Sequence, residues 1–258
     1  MSFLSIQKEY RLFNDYYDRT SNMLPTVQDV ENIKARVLHT IQNGLEFDLT
    51  TEHSKHFLKR HVNSNAMMVI LFIDINGSTQ MTMTLPPRQF ASIIQVFSQE
   101  ARLVIIGYGG YVLKYVGDSV IGIFPAEFDK RKACENALNC AISFLSVIKE
   151  CINPILRENS LPEIKVKTGL DCGPSLVILY GKQIDVAPID LVGSSISIAS
   201  KITSAAQPNQ ILVGQSIYEI FATDEFFRNK FINLKLSHDR WNFVDKLHGR
   251  IYELYSYK

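Results

Sequence analysis

The feature that most constrains the fold is an apolar run, Met67 to Ile73, that ends at the acidic residue Asp74. A short apolar run with polar flanks predicts a buried strand. Further along, residues 111–124 predict a β-hairpin whose two-residue turn is Gly117-Asp118, because glycine supplies the backbone freedom that such a turn requires. The sequence therefore places one carboxylate where a buried strand ends and a second one in a tight turn.

Two carboxylates in such places indicate a shared divalent cation. A carboxylate at the end of a buried strand is costly to desolvate unless a cation, a hydrogen-bond donor or water receives it. Asp74 and Asp118 lie on elements that we expect to be neighbours, and hard cations also take carbonyl oxygens such as that of Ile75. The run Gly77-Ser78-Thr79 forms a small turn whose backbone N–H groups can receive phosphate oxygens. Taken singly, an ordinary N-cap and an ordinary turn aspartate explain these residues equally well.

The bulk properties of the chain exclude several classes of protein. Its 258 residues include 27 Lys and Arg against 26 Asp and Glu, so no global field attracts nucleic acid or anionic membrane. The longest apolar stretch is far shorter than the roughly 20 residues of a membrane-spanning helix, and the N-terminus has no basic segment before an apolar core. We expect a cytoplasmic protein that binds no nucleic acid and has no integral membrane segment.

The cysteines indicate neither a zinc site nor a disulfide framework. None of them has C-x-x-C spacing, which zinc knots and redox motifs usually show. The sequence predicts reduced and mostly buried thiols at Cys134, Cys140, Cys151 and Cys172.

The chain divides into a helical N-terminal extension, residues 1–62, and a main domain, residues 63–258. Within the extension, apolar residues recur at helical spacing between residues 29 and 41, and the polar segment 51–65 is predicted to be a connector. In that segment a solvated face is a better explanation than a metal site for His53, His56 and His61.

The main domain shows a mixed order of strands and helices, which predicts an α+β fold. A strand to about residue 75, a polar loop and an amphipathic helix ending near residue 107 precede the hairpin. The later elements are a helix over about 130–155, strands at 164–170 and 176–180, a helix over 194–206, a strand at 211–213 and closing strands near 231–236 and 250–257.

Three segments together resemble the catalytic domain of the class III nucleotidyl cyclases, the adenylyl and guanylyl cyclases. They are residues 72–79, 110–125 and 190–201, and the resemblance extends over about residues 66–255. It implies a ferredoxin-like core with a mixed or antiparallel sheet flanked by helices. It also implies two divalent cations, Mg²⁺ or Mn²⁺, held by Asp74, Ile75 and Asp118 against a nucleoside triphosphate, with Gly77-Ser78-Thr79 near the phosphates.

The same resemblance implies how the base is recognised. Lys114 and Asp190 occupy the positions that read the purine in this family. A cationic donor for a ring nitrogen and a carboxylate for an exocyclic amine are complementary to adenine, whereas guanine presents the reversed polarity. The expected substrate is ATP, and the expected products are 3′,5′-cyclic AMP and pyrophosphate.

The sequence departs from the family pattern at three positions. Ser197 stands where an Asn usually orients the ribose, and Lys201 stands where an Arg stabilises the transition state. Lysine keeps the charge but lacks the planar fork of arginine. Pro174 stands where many relatives have an Arg for the triphosphate, and the late segment containing Lys246, His248 and Arg250 is a candidate for supplying that charge.

The family also pairs the metal aspartates of one domain with the base-reading residues of another, so the resemblance implies a homodimer with two composite sites. Two alternatives remain open. One is a cyclase acting on another base, including the pyrimidine cyclases of bacterial antiphage defence, against which the retention of Lys114 and Asp190 argues. The other is a degenerate nucleotide-binding signalling module, against which the retention of Asp74 and Asp118 argues.

Overall fold

The computed structural model describes residues 27–245 and 249–258. The helices are α1 (Val27–Asn43), α2 (Glu52–Lys59), α3 (Ser78–Thr84), α4 (Pro87–Gly107), α5 (Lys130–Val147), a π-helical turn (Ile148–Ile152), α6 (Asn153–Glu158), α7 (Ser194–Ala205), α8 (Gln215–Phe221) and α9 (Glu225–Arg228). The strands are β1 (Asn65–Ile75), β2 (Tyr111–Val116), β3 (Ser119–Pro125), β4 (Val166–Leu179), β5 (Ile189–Val192), β6 (Gln210–Gly214), β7 (Phe231–Leu234), β8 (Val244–Asp245), β9 (Arg250–Ile251) and β10 (Leu254–Tyr257). This mixed α+β architecture confirms the predicted fold class.

An eight-stranded mixed sheet forms the centre of the molecule. Its order is β2-β3-β1-β4-β6-β10-β7, with β5 added to β4. Strand β1 is hydrogen-bonded on both sides, antiparallel to β3 and antiparallel to β4. Its apolar residues are therefore buried on both faces, as Val69, Ile70 and Leu71 illustrate with no exposed surface. The predicted buried strand and the hairpin over β2 and β3 are confirmed.

Strand β4 corrects the expectation of two separate strands at 164–170 and 176–180. Both lie in one continuous strand, Val166–Leu179, whose residues 166–176 pair with β1. On its other edge β6 pairs with residues 167–170 and β5 pairs with residues 176–179. Within the described part of the chain, Pro174 thus faces a gap between these two partners, where its missing N–H interrupts no ladder.

Helices α4 and α5 pack on one face of the sheet and form the main core. Ile93 and Phe97 of α4 and Phe144 of α5 belong to the same buried cluster as Leu71 and Ile73 of β1. The segments Pro87–Gly107 and Lys130–Glu158 are long and apolar enough to cross a membrane, but more than half of each lies buried within the fold. All four cysteines are buried and unpaired, which confirms that expectation.

The opposite face is covered by α2 and α7, and this corrects the prediction of a plain connector at 51–65. Phe57 and Leu58 of α2 are buried in a cluster with Met68 and Ile70 of β1. The helix was not predicted from the sequence because its two apolar core residues have His and Lys as neighbours. A further short helix, α3, replaces part of the polar loop that the sequence predicted after residue 75.

The helix predicted within the extension is present as α1, while residues 1–26 lie outside the described residues. Helix α1 packs against α4 and is joined to it by a buried ion pair. Arg36 Nε and Nη2 donate to the two carboxylate oxygens of Glu100 at 2.8 and 2.6 Å. Gln99 donates from Nε2 to Thr40 Oγ1 at 2.9 Å in the same interface. Both charged side chains are almost fully buried.

A second buried polar network joins β4 to α8 and to the segment between β9 and β10. Asp171 is 2% exposed, and its Oδ1 accepts from the hydroxyls of Ser216 at 2.7 Å and Tyr252 at 2.6 Å. Burial raises the pKa of Asp171 to about 6, although the hydrogen bonds from Tyr252 and Ser216 oppose the rise. Compared with the unfolded chain, the folded protein therefore stabilises the protonated form of this carboxyl group relative to the ionised form.

This network predicts a pH-dependent stability. Because the folded pKa of Asp171 lies above its ordinary value of 3.8, its contribution is fully present below about pH 4 and is lost as the pH rises through about 6. Asp171→Asn keeps the acceptor oxygen and removes the titration. Between pH 4 and 6.5 the free energy of unfolding should fall by about 2 kcal/mol more in the wild type than in this variant.

Urea denaturation across this pH range measures the difference. Asp239→Asn, a change at an exposed carboxylate, is the matched control and should follow the wild type. Equal pH slopes for the wild type and Asp171→Asn would contradict the assignment.

Candidate active site

The register of β1 against β3 brings the two predicted metal carboxylates together. Asp74 is paired directly with Ser119, the residue that follows Asp118. The N–H of Ile75 donates to the carbonyl of Asp118 at 3.2 Å, which fixes the hairpin turn against the end of β1. The hydroxyl of Ser119 donates to Asp74 Oδ1. One end of the sheet thus carries both carboxylates, as the sequence predicted from their places on neighbouring elements.

Electrostatics make this end of the sheet favourable for a cation. Burial raises the pKa of Asp74, and the negative charge of Asp118 raises it further. The hydrogen bond from Ser119 and the positive charge of Lys167 act in the opposite direction. A divalent cation between the carboxylates would offset both the desolvation and the mutual repulsion.

The donor set fits a hard cation that is bound partly by protein carboxylates and partly by a phosphate. No group of three or more His, Cys, Asp and Glu surrounds the carboxylates among the described residues, so an all-protein cage is not formed there. Mg²⁺ typically binds to one or two carboxylates, to waters and to substrate phosphates. Asp74 and Asp118 are suited to that role, and the carbonyl of Ile75 stays a predicted ligand.

The turn after β1 is built as the sequence suggested. Gly77 has a φ of 79°, a left-handed conformation that glycine adopts without a Cβ penalty. Ser78 and Thr79 are the first residues of α3, and no side chain caps that helix. Their binding to phosphate stays a prediction.

The two residues predicted to read the base, Lys114 and Asp190, lie in contact although β2 and β5 are not neighbours in the sheet. Lys114 Nζ donates to Asp190 Oδ2 at 2.6 Å. The other carboxylate oxygen of Asp190 accepts from the backbone N–H of Leu191 at 2.9 Å, which orients the group. The two side chains are 38% and 27% exposed, so the pair is reachable from solvent. A donor and an acceptor are therefore presented side by side.

The two residues predicted for the transition state share one exposed face of α7. Ser197 and Lys201 are one helical turn apart and both are exposed. The hydroxyl of Ser197 donates to the carbonyl of Gly193 at 3.1 Å. Helix α7 lies very close to β4 at Gly169. A Cβ at this residue would lie 2.5 Å from the backbone nitrogen of Thr203.

The structure describes only one of the three residues predicted to supply the charge missing at Pro174. Lys246 and His248 lie outside the described residues. Arg250 begins β9, which pairs with β8 in a separate small hairpin, and it is exposed. Pro174 itself is paired with Met67, seven residues along β1 from Asp74.

The comparisons with known proteins show which family the chain belongs to. The sequence profile of the family described as "Adenylate and Guanylate cyclase catalytic domain" matches residues 61–237, which is more than half of the chain. The chain belongs to the class III nucleotidyl cyclases.

Curated relatives of this cyclase differ in the base that their names specify. A "Cytidylate cyclase" from Escherichia coli is 27% identical over 172 residues, covering 64% of this chain and 37% of the relative. A "Cytidylate cyclase" from Staphylococcus aureus is 22% identical over 225 residues, covering 86% and 52%. An "Adenylate cyclase" from Anabaena cylindrica is 23% identical over 181 residues, covering 66% and 34%. The chain thus spans about a third to a half of the length of these relatives.

Solved structures support the same fold. The adenylyl cyclase CyaB from P. aeruginosa superposes with a TM-score of 0.63 at 18% identity, covering 76% of this chain and 95% of the neighbour. The guanylyl cyclase Cya2 gives a TM-score of 0.63 at 18% identity, covering 76% and 93%. At 18% identity these superpositions show a shared fold, and they carry no information about the substrate.

Two residues that the sequence analysis missed lie beside Asp74 in this cyclase. Ser119 directly follows Asp118, and pairing the hairpin with β1 would have placed its hydroxyl opposite Asp74. Lys167 is the partner of Asp74 on the other side, in β4. Its place depends on the register of two strands about 90 residues apart, which no local pattern reveals.

The hydrogen bond from Ser119 predicts a measurable effect on cation binding. Ser119→Ala removes the donor that orients Asp74, and losing such an outer partner should weaken Mn²⁺ binding by about 10-fold. Ser119→Thr keeps the hydroxyl and should stay close to the wild type. Isothermal titration calorimetry with Mn²⁺ distinguishes the variants, and equal affinities for all three proteins would show that the bond has no such role.

Proposed function

We propose that this chain is an adenylate cyclase, which converts ATP into 3′,5′-cyclic AMP and pyrophosphate at composite sites of a homodimer. The observation that carries the proposal is the ion pair of Lys114 and Asp190 at 2.6 Å. It supplies a donor and an acceptor for the base in a chain whose hairpin also carries Asp118 next to Asp74. Both parts of a cyclase site are therefore present in one sequence.

The base is recognised through two polar contacts. The ammonium of Lys114 donates to a ring nitrogen, and the carboxylate of Asp190 accepts from the neighbouring exocyclic amine. Because Leu191 already holds the other oxygen of Asp190, the carboxylate stays oriented when the base separates it from Lys114. A base of reversed polarity would face a cation with its own N–H group and a carboxylate with its carbonyl oxygen, and both contacts would be repulsive.

The remaining residues bind and orient the reacting groups. Divalent cations held by Asp74 and Asp118 would lower the pKa of the ribose 3′-hydroxyl and neutralise the triphosphate. In this proposal Ser197 holds the ribose, and Lys201 donates to the oxygens of the α-phosphate as charge develops there. Since lysine offers a point charge without the planar fork of arginine, we expect slower turnover than an arginine at this position would give.

A second copy of the chain is expected to complete each site. Exposed apolar side chains lie next to the metal carboxylates and next to the base-reading pair. Val116 precedes the turn that carries Asp118 and is 51% exposed, and Val192 follows Asp190 and is 48% exposed. Apolar surface next to functional residues is typical of an interface. A symmetric dimer would place the carboxylates of one protomer opposite the base-reading pair of the other in two equivalent sites.

CTP is a second candidate substrate, and the chemistry of the base supports it. Cytosine presents a ring nitrogen acceptor next to an exocyclic amine, which is the polarity that adenine presents. Lys114 and Asp190 therefore discriminate against guanine and uracil but do not by themselves separate adenine from cytosine. Their retention thus argues against a uridylate cyclase but, contrary to the expectation from the sequence, not against a cytidylate cyclase. The relatives named cytidylate cyclases give this candidate additional weight.

Product analysis tests the proposal directly. The purified protein is incubated with Mn²⁺ and each of ATP, GTP, CTP and UTP, and cyclic products are identified by mass. We expect cyclic AMP, with cyclic CMP as the product if the second candidate is the better one. A main product from GTP or UTP, or no product from any nucleotide, would overturn the proposed recognition or the proposed activity, respectively.

The metal assignment is tested by Asp118→Ala. Loss of a carboxylate that holds the cations should reduce turnover at least about 100-fold, whereas the oligomeric state in size-exclusion chromatography should stay that of the wild type. Asp239→Ala, which also removes an exposed carboxylate, is the control and should retain turnover. Substantial activity in Asp118→Ala would refute the role of this residue.

A further inference from the structure

The first turn of α7 lies against β4 at the gap that Pro174 faces. Gly193 directly precedes the helix, and a Cβ there would lie 3.1 Å from the carbonyl oxygen of Pro174 and 3.3 Å from the Cα of Ser175. A Cβ at Gly173 would lie 3.2 Å from the Cβ of Ser195. Two glycines, one on each element, therefore allow the beginning of the helix to approach the strand closely.

Two buried serine hydroxyls join the same two elements. The Oγ atoms of Ser175 in β4 and Ser195 in α7 are 2.8 Å apart. The hydroxyl of Ser195 also donates to the carbonyl of Pro174 at 3.3 Å. Because Ser195 has one proton to give, Ser175 is the donor between the two hydroxyls. Ser175 has no exposed surface and Ser195 is 2% exposed, so bulk water does not compete for these hydrogen bonds.

Stability alone does not explain two buried hydroxyls at this place. A buried hydrogen-bonded pair contributes little net free energy, and apolar groups of the same shape are often nearly as good. Hydrogen bonds differ from apolar contacts because they depend on distance and direction. The pair of Ser175 and Ser195 therefore fixes how the first turn of α7 is placed on β4, which apolar side chains would leave less precisely defined.

This turn connects the two groups of residues that the proposed reaction needs on one side of the site. Asp190, which reads the base, is three residues before Gly193. Ser197 and Lys201, which act on the ribose and the α-phosphate, follow within α7. The hydroxyl of Ser197 donates to the carbonyl of Gly193 at 3.1 Å. The distance from the base contact to the phosphate contact therefore depends on where the first turn of α7 lies.

We propose that Ser175 and Ser195 are positioning residues, whose hydrogen bond holds the first turn of α7 on β4 and thereby places Ser197 and Lys201 against the nucleotide. Both serines act through the helix and not by contact with the substrate. Their effect on turnover rests on the proposed function, whereas the attachment of the helix to the strand does not.

Steady-state kinetics of Ser195→Ala test the effect on turnover, at a temperature where circular dichroism shows that all variants are folded. The kcat should fall by about 10-fold, since a misplacement of about 1 Å can cost about 100-fold and a smaller shift costs less. The KM should change by less than about threefold, because Leu191 still orients Asp190 and the hairpin still carries Asp118 next to Asp74.

A double-mutant cycle tests whether the two hydroxyls act as a unit. Ser175→Ala breaks the same hydrogen bond from the other side and should also lower kcat, and the double variant should be no slower than Ser195→Ala alone. Losses that multiply in the double variant would contradict a shared bond. Ser204→Ala is the matched control, since it removes an exposed hydroxyl of the same helix that donates to the carbonyl of Ser200 at 3.1 Å, and it should keep the wild-type kinetics.

Hydrogen exchange separates positioning from a general loss of stability. In Ser195→Ala the amides of residues 197–201 should exchange faster than in the wild type, whereas the amides of β1 should keep their protection. A wild-type kcat in this variant would overturn the proposal, and so would faster exchange throughout the protein, which would assign the pair to stability alone. If the wild type makes no cyclic nucleotide, the proposed function fails, while the exchange of residues 197–201 still decides whether the pair holds the helix.

Discussion

The arrangement of the site depends on the pairing of β1 with strands on both of its edges. Asp74 has Ser119 on one side and Lys167 on the other, so three residues from separate parts of the chain meet in one row across the sheet. A shift of one residue in either register would turn one of these side chains to the opposite face. The apolar residues of β1 prevent such a shift, because it would move Ile70 and Leu71 out of their respective buried clusters.

Much of the architecture could be predicted from the sequence because its strongest signals are local. The apolar run before Asp74, the Gly117-Asp118 turn and the helical periodicity of α4 each arise within one segment, and the structure contains all three elements. The ion pair of Lys114 and Asp190 joins residues far apart in sequence. It was anticipated only because the family resemblance supplied the pairing.

The errors have a common physical cause, since each concerns tertiary context. The break expected near Pro174 is absent because the structure leaves a gap in the ladder at that residue. The connector expected at residues 51–65 contains α2, since two apolar residues are sufficient when the sheet offers them a buried place. Lys167 was missed because its position beside Asp74 results from the pairing of two strands that are far apart in the sequence. The assignment of the triphosphate charge to Lys246 or His248 is not one of these errors and stays a prediction, because it concerns residues outside those described.

The buried pair of Arg36 and Glu100 has a consequence for how much of the chain must be kept together. The family profile begins at residue 61, yet Glu100, deep in α4, has its bidentate partner on α1. A chain shortened to the profile would lose this guanidinium together with the helix that packs over Glu100, whereas Arg36→Ala in the full chain would leave the carboxylate buried and unpaired, which typically costs about 3–5 kcal/mol. Helix α1 is therefore part of the packed structure, since its Ile33 and Val37 also lie in the main buried cluster, although the family profile does not include it.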